Sequence, residues 1–147
     1  DQKGDRGTAL ALIDEAIVLN TELGTVPDTA DLLNRRGDFR LGDDPERAQQ
    51  DYERAAELSR AVGATDMRAN AFRGLGDVAR VNGETAAARA HYEAALALSE
   101  GDAIGAVEAR ARALLGSGEL ALLEGDARIA ESHYRAALGL AQDSALN

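Results

Sequence analysis

The chain has 147 residues, a formal net charge of −10 and no cysteine. Its length suits one domain with a sizeable core, its charge argues against contact with a nucleic-acid backbone, and the lack of thiols excludes disulfides and cysteine-based zinc sites. Aromatic residues make up only 3% of the sequence, so the core must consist mainly of Ala, Leu, Ile and Val. Such side chains suit closely packed helices better than a sheet sandwich, which predicts an all-α fold.

Apolar residues at helical spacing, punctuated by Gly, Asp and Pro, predict seven helices. In chain order these cover residues 6–23, 29–41, 45–62, 66–82, 85–99, 103–124 and 127–141. Asp44 and Pro45 suit the start of the third helix, because a carboxylate accepts bonds from free amides and proline needs no amide partner there. Glycine adopts a positive φ without a side-chain clash, and we expect helices to end at Gly24, Gly42, Gly63, Gly83, Gly101 and Gly125.

One pattern occurs three times: Gly-Asp or Gly-Glu, a small residue four or five positions after the acid, tyrosine four further on and alanine three further. A degenerate fourth copy opens the chain, with Ile13 in the place of tyrosine. The small residues Ala9, Ala48, Ala88 and Ala130 stand 39, 40 and 42 residues apart. This period is typical of stacked helical hairpins. We expect one ring per repeat to fill the space between neighbouring hairpins: Tyr52, Tyr92 and Tyr134.

The recurring residues resemble the tetratricopeptide repeat, a helix-turn-helix unit with small residues at fixed positions. The repeat that begins at Ala69 matches without a gap through Phe72, Leu75, Gly76, Ala79, Gly83, Ala88, Tyr92 and Ala95. The repeat that begins at Ala111 matches through Leu114, Ser117, Gly118, Ala121, Gly125, Ala130, Tyr134 and Ala137. The period exceeds the usual 34 residues, as in kinesin light chains and the sensory arms of large bacterial transcription activators.

The resemblance implies an α-α superhelix, a right-handed solenoid of about seven antiparallel helices with three full repeats and a leading half repeat. We expect residues 1–147 to form a single domain, divided into a half repeat at 1–25 and repeats at about 28–63, 66–100 and 103–141. Because Gly4-Asp5 corresponds to the middle of a repeat, we expect the chain to be part of a larger protein. Gly37 and Gly42 are five residues apart where the other repeats have seven, so the first helix of that repeat should be short or distorted.

Several motifs have a catalytic or cofactor interpretation that we consider improbable. The stretches 74–79 and 116–121 fit a G-x-G-x-x-A fingerprint, but these glycines fall inside helices, where close packing demands small residues, and not after a strand. His91 and His133 lack further ligands at metal-binding spacing. Ser132 and His133 are adjacent helical residues whose side chains diverge, so they cannot act as nucleophile and base. We expect no enzyme, no cofactor and no metal site.

The resemblance also implies a binding groove on the concave face, lined by the first helix of each repeat. Its predicted residues are Asn34, Asp38, Asn70, Arg73, Asp77, Arg80, Arg112, Leu115, Glu119 and Leu122. An acidic residue follows the packing glycine in each repeat, namely Asp38, Asp77 and Glu119. These carboxylates could form an acidic stripe, or Asp77 could pair with Arg73 or Arg80 and Asp38 with Arg35. Glu119 has no such partner on its own helix.

These features together favour a non-catalytic module that binds a protein or peptide in the concave groove. A basic or N-terminal segment is the partner expected for an acidic stripe. The family's clamp for C-terminal carboxylates is absent, because Asp77 and Glu119 stand where it requires asparagine. The alternative is a regulatory, effector-sensing arm of a multidomain bacterial transcription activator. We further expect a cytoplasmic location, no contact with membranes or nucleic acid, and a homodimer formed through a terminal helix.

Overall fold

The computed structural model describes residues 2–146, and within them every regular element is a helix. The helices are α1 (Gln2–Leu23), α2 (Val26–Arg40), α3 (Pro45–Val62), α4 (Thr65–Val81), α5 (Thr85–Leu98), α6 (Ile104–Leu123) and α7 (Ala127–Leu146). The predicted all-α class and the seven predicted helices are confirmed, and the inner boundaries agree within three residues. The ends of α1 and α7 extend further than predicted. Asp1 and Asn147, at the predicted domain's two ends, lie outside the described residues.

Local chemistry explains most of the boundaries. The Asp44 side chain accepts a hydrogen bond from the Arg47 amide at 3.1 Å, and Pro45 occupies the first turn of α3. Positive φ angles of 70° to 81° occur at four of the six predicted glycines, Gly24, Gly63, Gly83 and Gly125. The other two, Gly42 and Gly101, lie just beyond helix ends without this conformation. As predicted for the irregular repeat, α2 is short, with 15 residues against 17 in α4 and 20 in α6.

The helices form two rows, and only one row is continuous. The inner row contains α2, α4 and α6, each of which contacts the next member of the row. In the outer row, by contrast, none of the described residues brings α3 into contact with α5, or α5 with α7. Because the helices of the inner row are packed more closely than those of the outer row, the array must curve toward the inner row. The exposed side of α2, α4 and α6 is therefore the concave face.

The tyrosine rings and helical glycines account for this close approach. Tyr52 is fully buried, and a Cβ atom added at Gly37 or Gly74 would lie 2.6 or 2.3 Å from its ring. Tyr92 lies in the same way between Gly76 and Gly116, with corresponding distances of 2.6 and 2.5 Å. Each ring therefore contacts the first helix of its own repeat and the first helix of the next repeat. The G-x-G spacing has a packing cause, since its two glycines serve two different rings.

At the two ends of the array, the packing of a tyrosine ring between two glycines is incomplete. Tyr134 packs on Gly118 of its own hairpin, at 2.6 Å from an added Cβ, and no described residue supplies the second glycine. At the other end, position 35 carries arginine where the later repeats carry Gly74 and Gly116. The preceding second helix has Ile13 in the tyrosine position, so no ring needs space there. The first glycine of the G-x-G pair therefore occurs only in repeats that follow a second helix with a tyrosine ring.

A buried ion-pair cluster joins the first three helices, and the sequence analysis did not identify it. Arg36 Nη2 lies 2.7 Å from Asp51 Oδ1, and Arg40 Nη1 lies 2.9 Å from Asp51 Oδ2. Arg36 Nη1 also reaches Asp14 Oδ1 on α1 at 2.7 Å. The Asp51 side chain is only 4% exposed, so water screens these charges weakly.

No helix within residues 2–146 combines the length and apolarity needed to cross a bilayer.

Candidate functional site

The concave face contains a cavity of about 370 Å³ between the three inner helices. Helix α2 contributes side chains from residues 31–39, α4 from residues 66–73 and α6 from residues 105–112. The lining residues are Asp31, Asn34, Arg35, Asp38, Phe39, Asp66, Met67, Asn70, Arg73, Gly105, Glu108 and Arg112. We call this cavity the groove cavity. Five of the predicted groove residues line it: Asn34, Asp38, Asn70, Arg73 and Arg112.

A row of alternating charges crosses the inner helices, and we call its members the charge ladder: Arg112, Asp38, Arg73, Asp77, Arg80 and Glu119. Arg112 Nη1 lies 3.4 Å from Asp38 Oδ2, and Asp38 Oδ1 lies 2.8 Å from Arg73 Nη1. Arg73 Nη1 is also 2.9 Å from Asp77 Oδ2. Arg80 continues the series, with Nη2 at 3.4 Å from Asp77 Oδ1 and Nη1 at 2.8 Å from Glu119 Oε2.

The ladder distinguishes the two interpretations of the acids that recur after the packing glycine in each repeat. Asp77 pairs with Arg73 and Arg80 on its own helix, as one interpretation required. The suggested pairing of Asp38 with Arg35 is wrong, because Asp38 binds Arg73 across the repeats while Arg35 binds Asp31. Glu119 has no partner on its helix but pairs with Arg80 of the preceding repeat. The three carboxylates are therefore balanced by arginines and do not form an uncompensated acidic stripe.

Two of these acids have a further structural role that the sequence did not reveal. The Tyr52 hydroxyl donates to Asp38 Oδ1 at 2.6 Å, and the Tyr92 hydroxyl donates to Asp77 Oδ1 at 2.5 Å. Arg80 Nε in turn donates to the Tyr92 oxygen at 3.1 Å. Asp38 follows Gly37, and Asp77 follows Gly76. Each aspartate therefore accepts a hydrogen bond from the tyrosine whose ring packs on the preceding glycine. The sequence signal that could have revealed these hydrogen bonds is a tyrosine sixteen or fewer residues after a Gly-Asp pair.

Burial and nearby charges shift the pKa values of the two tyrosines and of Arg73 in this cluster. Burial raises the pKa of the Tyr52 hydroxyl, and the negative charge of Asp38 raises it further. The Tyr92 hydroxyl has a raised pKa for the same reasons, with Asp77 as the acid. Burial by itself lowers the pKa of Arg73, but Asp38 and Asp77 more than offset this effect and leave the pKa above its usual value. Both hydroxyls therefore remain protonated donors over the physiological range.

The groove cavity contains polar atoms that find no partner in the protein. Buried side-chain atoms without a hydrogen bond, among the described residues, are Asn34 Oδ1, Asn70 Oδ1 and Arg73 Nε. All three belong to residues that line the groove cavity. Asn34 is only 3% exposed, and its Nδ2 already donates to the Met67 carbonyl at 3.0 Å. A buried polar atom that lacks a partner costs about 1–3 kcal/mol, so the lining of the groove cavity contains three atoms whose hydrogen-bonding capacity the described protein does not use.

The remaining predicted groove residues lie outside the groove cavity. Asp77, Arg80 and Glu119 extend the charge ladder toward the last hairpin. Leu115 and Leu122 are about half exposed, at 46% and 53%. Leu122 lines a separate apolar cavity of about 290 Å³ beside α7, together with Tyr134 and Leu138.

The two histidines lie away from the groove cavity. His91 contacts Phe72, with ring centroids 6.1 Å apart, and burial lowers its pKa while the charges of Glu53 and Glu84 oppose the shift. His133 lines a cavity of about 370 Å³ between α5, α6 and α7, beside an ion pair of Arg89 with Glu124. No group of three or more potential ligands with metal-binding geometry occurs among the described residues.

The two helical rows, the ring-and-glycine packing and the concave groove define a tetratricopeptide-like solenoid. The structure is similar to the crystal structure of BtubC (BKLC) from P. vanneervenii, with a TM-score of 0.72 and 19% sequence identity. The match covers 96% of this chain and 58% of that chain. This likeness shows the fold. No family model matches the sequence, and no curated protein matches it significantly.

Proposed function

We propose that the groove cavity binds an extended segment of another protein and that the chain is a non-catalytic interaction module. The main support for this proposal is a set of buried polar atoms of the described chain that have no partner: Asn34 Oδ1, Asn70 Oδ1 and Arg73 Nε. All three belong to residues that line one concave cavity. They include both acceptors and a donor. A peptide main chain offers both an N–H and a C=O at nearly every residue, so it can satisfy such a mixed set.

The charge ladder supports the same function by a different route. Arg73 is anchored by Asp38 and Asp77, which holds its guanidinium in one position with Nε free. A preorganised side chain loses little conformational entropy when a ligand binds. Because the ladder is balanced in charge, we expect recognition to depend on hydrogen bonds within the groove cavity and not on an overall acidic surface. A cytoplasmic location accompanies this proposal as an expectation.

Selection of a random peptide display library against the folded protein tests the proposed function. We expect groove-binding peptides to be enriched, and Asn70→Ala to weaken them about fivefold to tenfold, because one neutral hydrogen bond contributes about 1 kcal/mol. Asn82→Ala, at the exposed C-terminal end of the same helix, is the matched control and should leave affinity unchanged. The absence of any enriched peptide, or equal binding by the Asn70 variant, would count against the proposal.

We also propose that the isolated chain self-associates through α7. Tyr134 covers one glycine where Tyr52 and Tyr92 each cover two, and Leu138 beside it is 58% exposed. A second copy would cover this apolar surface at the terminal hairpin. Light scattering should show a dimer that dissociates in Leu138→Glu but persists in Leu12→Glu, an equally exposed site on α1. A strictly monomeric wild-type protein at high concentration would contradict this expectation.

A further inference from the structure

The acids and arginines that line the groove cavity do not balance. Four carboxylates and three guanidiniums line it. Asp31 pairs with Arg35, Asp38 with Arg73, and Glu108 with Arg112. The fourth carboxylate, Asp66, forms no ion pair with any arginine of the described residues. The cavity therefore carries one negative charge, at Asp66, that no arginine of the described residues neutralises.

The position of Asp66 is set by a glycine. One of its oxygens, Oδ1, accepts a bond from the Met67 amide at 3.0 Å. The other, Oδ2, would lie 2.2 Å from a Cβ atom at Gly105 on the neighbouring helix. Any larger residue at position 105 would displace this carboxylate. The lack of a side chain at Gly105 thus allows Asp66 to lie between the starts of α4 and α6.

Two carboxamide oxygens share the cavity with this carboxylate. Asn70 is four residues after Asp66 on α4, so the two side chains lie on the same face of the helix. Asn34 projects from α2, and its amide nitrogen is already committed to the Met67 carbonyl beside Asp66. The oxygens of both asparagines are buried and unpartnered. Two neutral acceptors and one charged acceptor therefore belong to residues that line the same cavity.

Three acceptors with one negative charge match one ligand group in particular. A primary ammonium carries three N–H donors, no acceptor and one positive charge. Its bonds to a carboxylate are charge-assisted and are stronger than bonds between neutral groups. A divalent metal ion fits less well, because calcium takes six to eight oxygens and magnesium demands octahedral geometry.

We propose that the groove cavity is a primary-ammonium site, in which Asn34 Oδ1, Asn70 Oδ1 and the Asp66 carboxylate receive the three N–H bonds of a lysine side chain or a peptide N-terminus. This inference rests on the proposed function, because it assigns a chemical group to the segment that the groove binds. Arg73 Nε, the one unpartnered donor, is left to bind a carbonyl of the same segment.

The test is a nuclear magnetic resonance titration of the ¹⁵N-labelled full chain. The probes are acetyl-Gly-Lys-Gly-amide, the same peptide with an acetylated lysine side chain, and Gly-Gly-Gly-amide with a free N-terminus. We expect the side-chain amide signals of Asn34 and Asn70 to move with the lysine peptide and not with its acetylated form. The third probe distinguishes the two ammonium sources, since movement with it alone assigns the site to a peptide N-terminus.

The matched variants are Asp66→Asn and Asp28→Asn. Asp66→Asn keeps the shape of the side chain and removes its charge, so we expect at least about a tenfold loss of affinity for the ammonium probe. Asp28 is an exposed residue of the first turn of α2, and its variant should bind normally. Melting curves of both variants will show that the fold is retained.

The outcomes separate this inference from the proposed function. Equal movement with the lysine peptide and its acetylated form would overturn the ammonium site and leave groove binding intact. Normal binding by Asp66→Asn, or no movement with any probe, would also overturn it. The library selection decides independently whether the groove binds peptides, because it does not depend on the presence of an amine.

Discussion

Replacing Gly74 with alanine is expected to lower the free energy of unfolding by about 2 kcal/mol. The new Cβ would lie 2.3 to 2.5 Å from three atoms of the Tyr52 ring. That ring cannot retreat, because it is fully buried, packs on Gly37 from the other side and donates its hydroxyl to Asp38. Overpacking of this kind costs about 3 kcal/mol at the upper end of its usual range, and the better helix propensity of alanine offsets only about 1 kcal/mol.

Gly7→Ala provides the matched control for this substitution. Gly7 also lies inside a helix, but no atom comes within 4 Å of an added Cβ. Alanine there should stabilise the protein by up to about 1 kcal/mol. Urea denaturation followed by circular dichroism measures both variants. If the two substitutions had the same effect, the account of Gly74 as a contact of Tyr52 would be wrong.

The second large effect is expected at Asp51. Its carboxylate is 4% exposed and binds both Arg36 and Arg40, so Asp51→Ala leaves two guanidiniums of α2 without their shared partner. Removing one member of a buried ion pair costs about 3–5 kcal/mol, because the remaining charge stays desolvated. Asp14 can compensate in part, since it already contacts Arg36, but it is 50% exposed and lies on another helix. We therefore expect a loss of about 3 kcal/mol in the free energy of unfolding.

Glu57→Ala is the control for the Asp51 variant. Glu57 is an exposed acid on the same helix, α3, so its replacement should change stability by no more than about 0.5 kcal/mol. Thermal and urea unfolding will compare the two variants at equal protein concentration. An Asp51→Ala protein as stable as the Glu57 variant would show that the cluster contributes little to the fold.

The ring packing also affects the groove cavity. Asp38 receives the Tyr52 hydroxyl and Arg73 at the same carboxylate oxygen, so the buried ring helps to hold the guanidinium at the cavity. Arg73 also lies over the face of the Tyr52 ring, at 5.7 Å from its centroid. Tyr52 thus links the contact between repeats to Arg73, whose Nε has no partner among the described residues. Changes at the packing glycines should therefore weaken the proposed peptide binding as well as stability.

The repeat pattern was readable because it depends on contacts that every repeat makes in the same way. Small residues recur wherever a ring must fit, so Gly76 and Gly118 could be aligned without coordinates. The end of α7 was not readable in this way, since helical spacing weakens after residue 141 while the helix continues to Leu146. The start of α1 was predicted at residue 6 but lies at Gln2, so Gly4, a poor helix former, is inside the helix.

The charged residues set the limit of prediction for the candidate site. Spacing along a helix identified Asp77 with Arg73, because residues four apart share a face. It could not identify Asp38 with Arg73, which are 35 residues apart, or Glu119 with Arg80. It likewise gave no reason to select Asp66, whose importance follows from the partners that its neighbours have taken.

The sequence by itself therefore determined the all-helical class, the repeat period and the positions of the rings and glycines. These properties follow from local helix preference and from side-chain volume, which each repeat expresses independently. Only the tertiary structure decided which carboxylates are balanced and which polar atoms stay unpartnered in the groove cavity. An ion pair forms between side chains that the stacking of repeats brings within about 4 Å, and that distance depends on the curvature of the whole array.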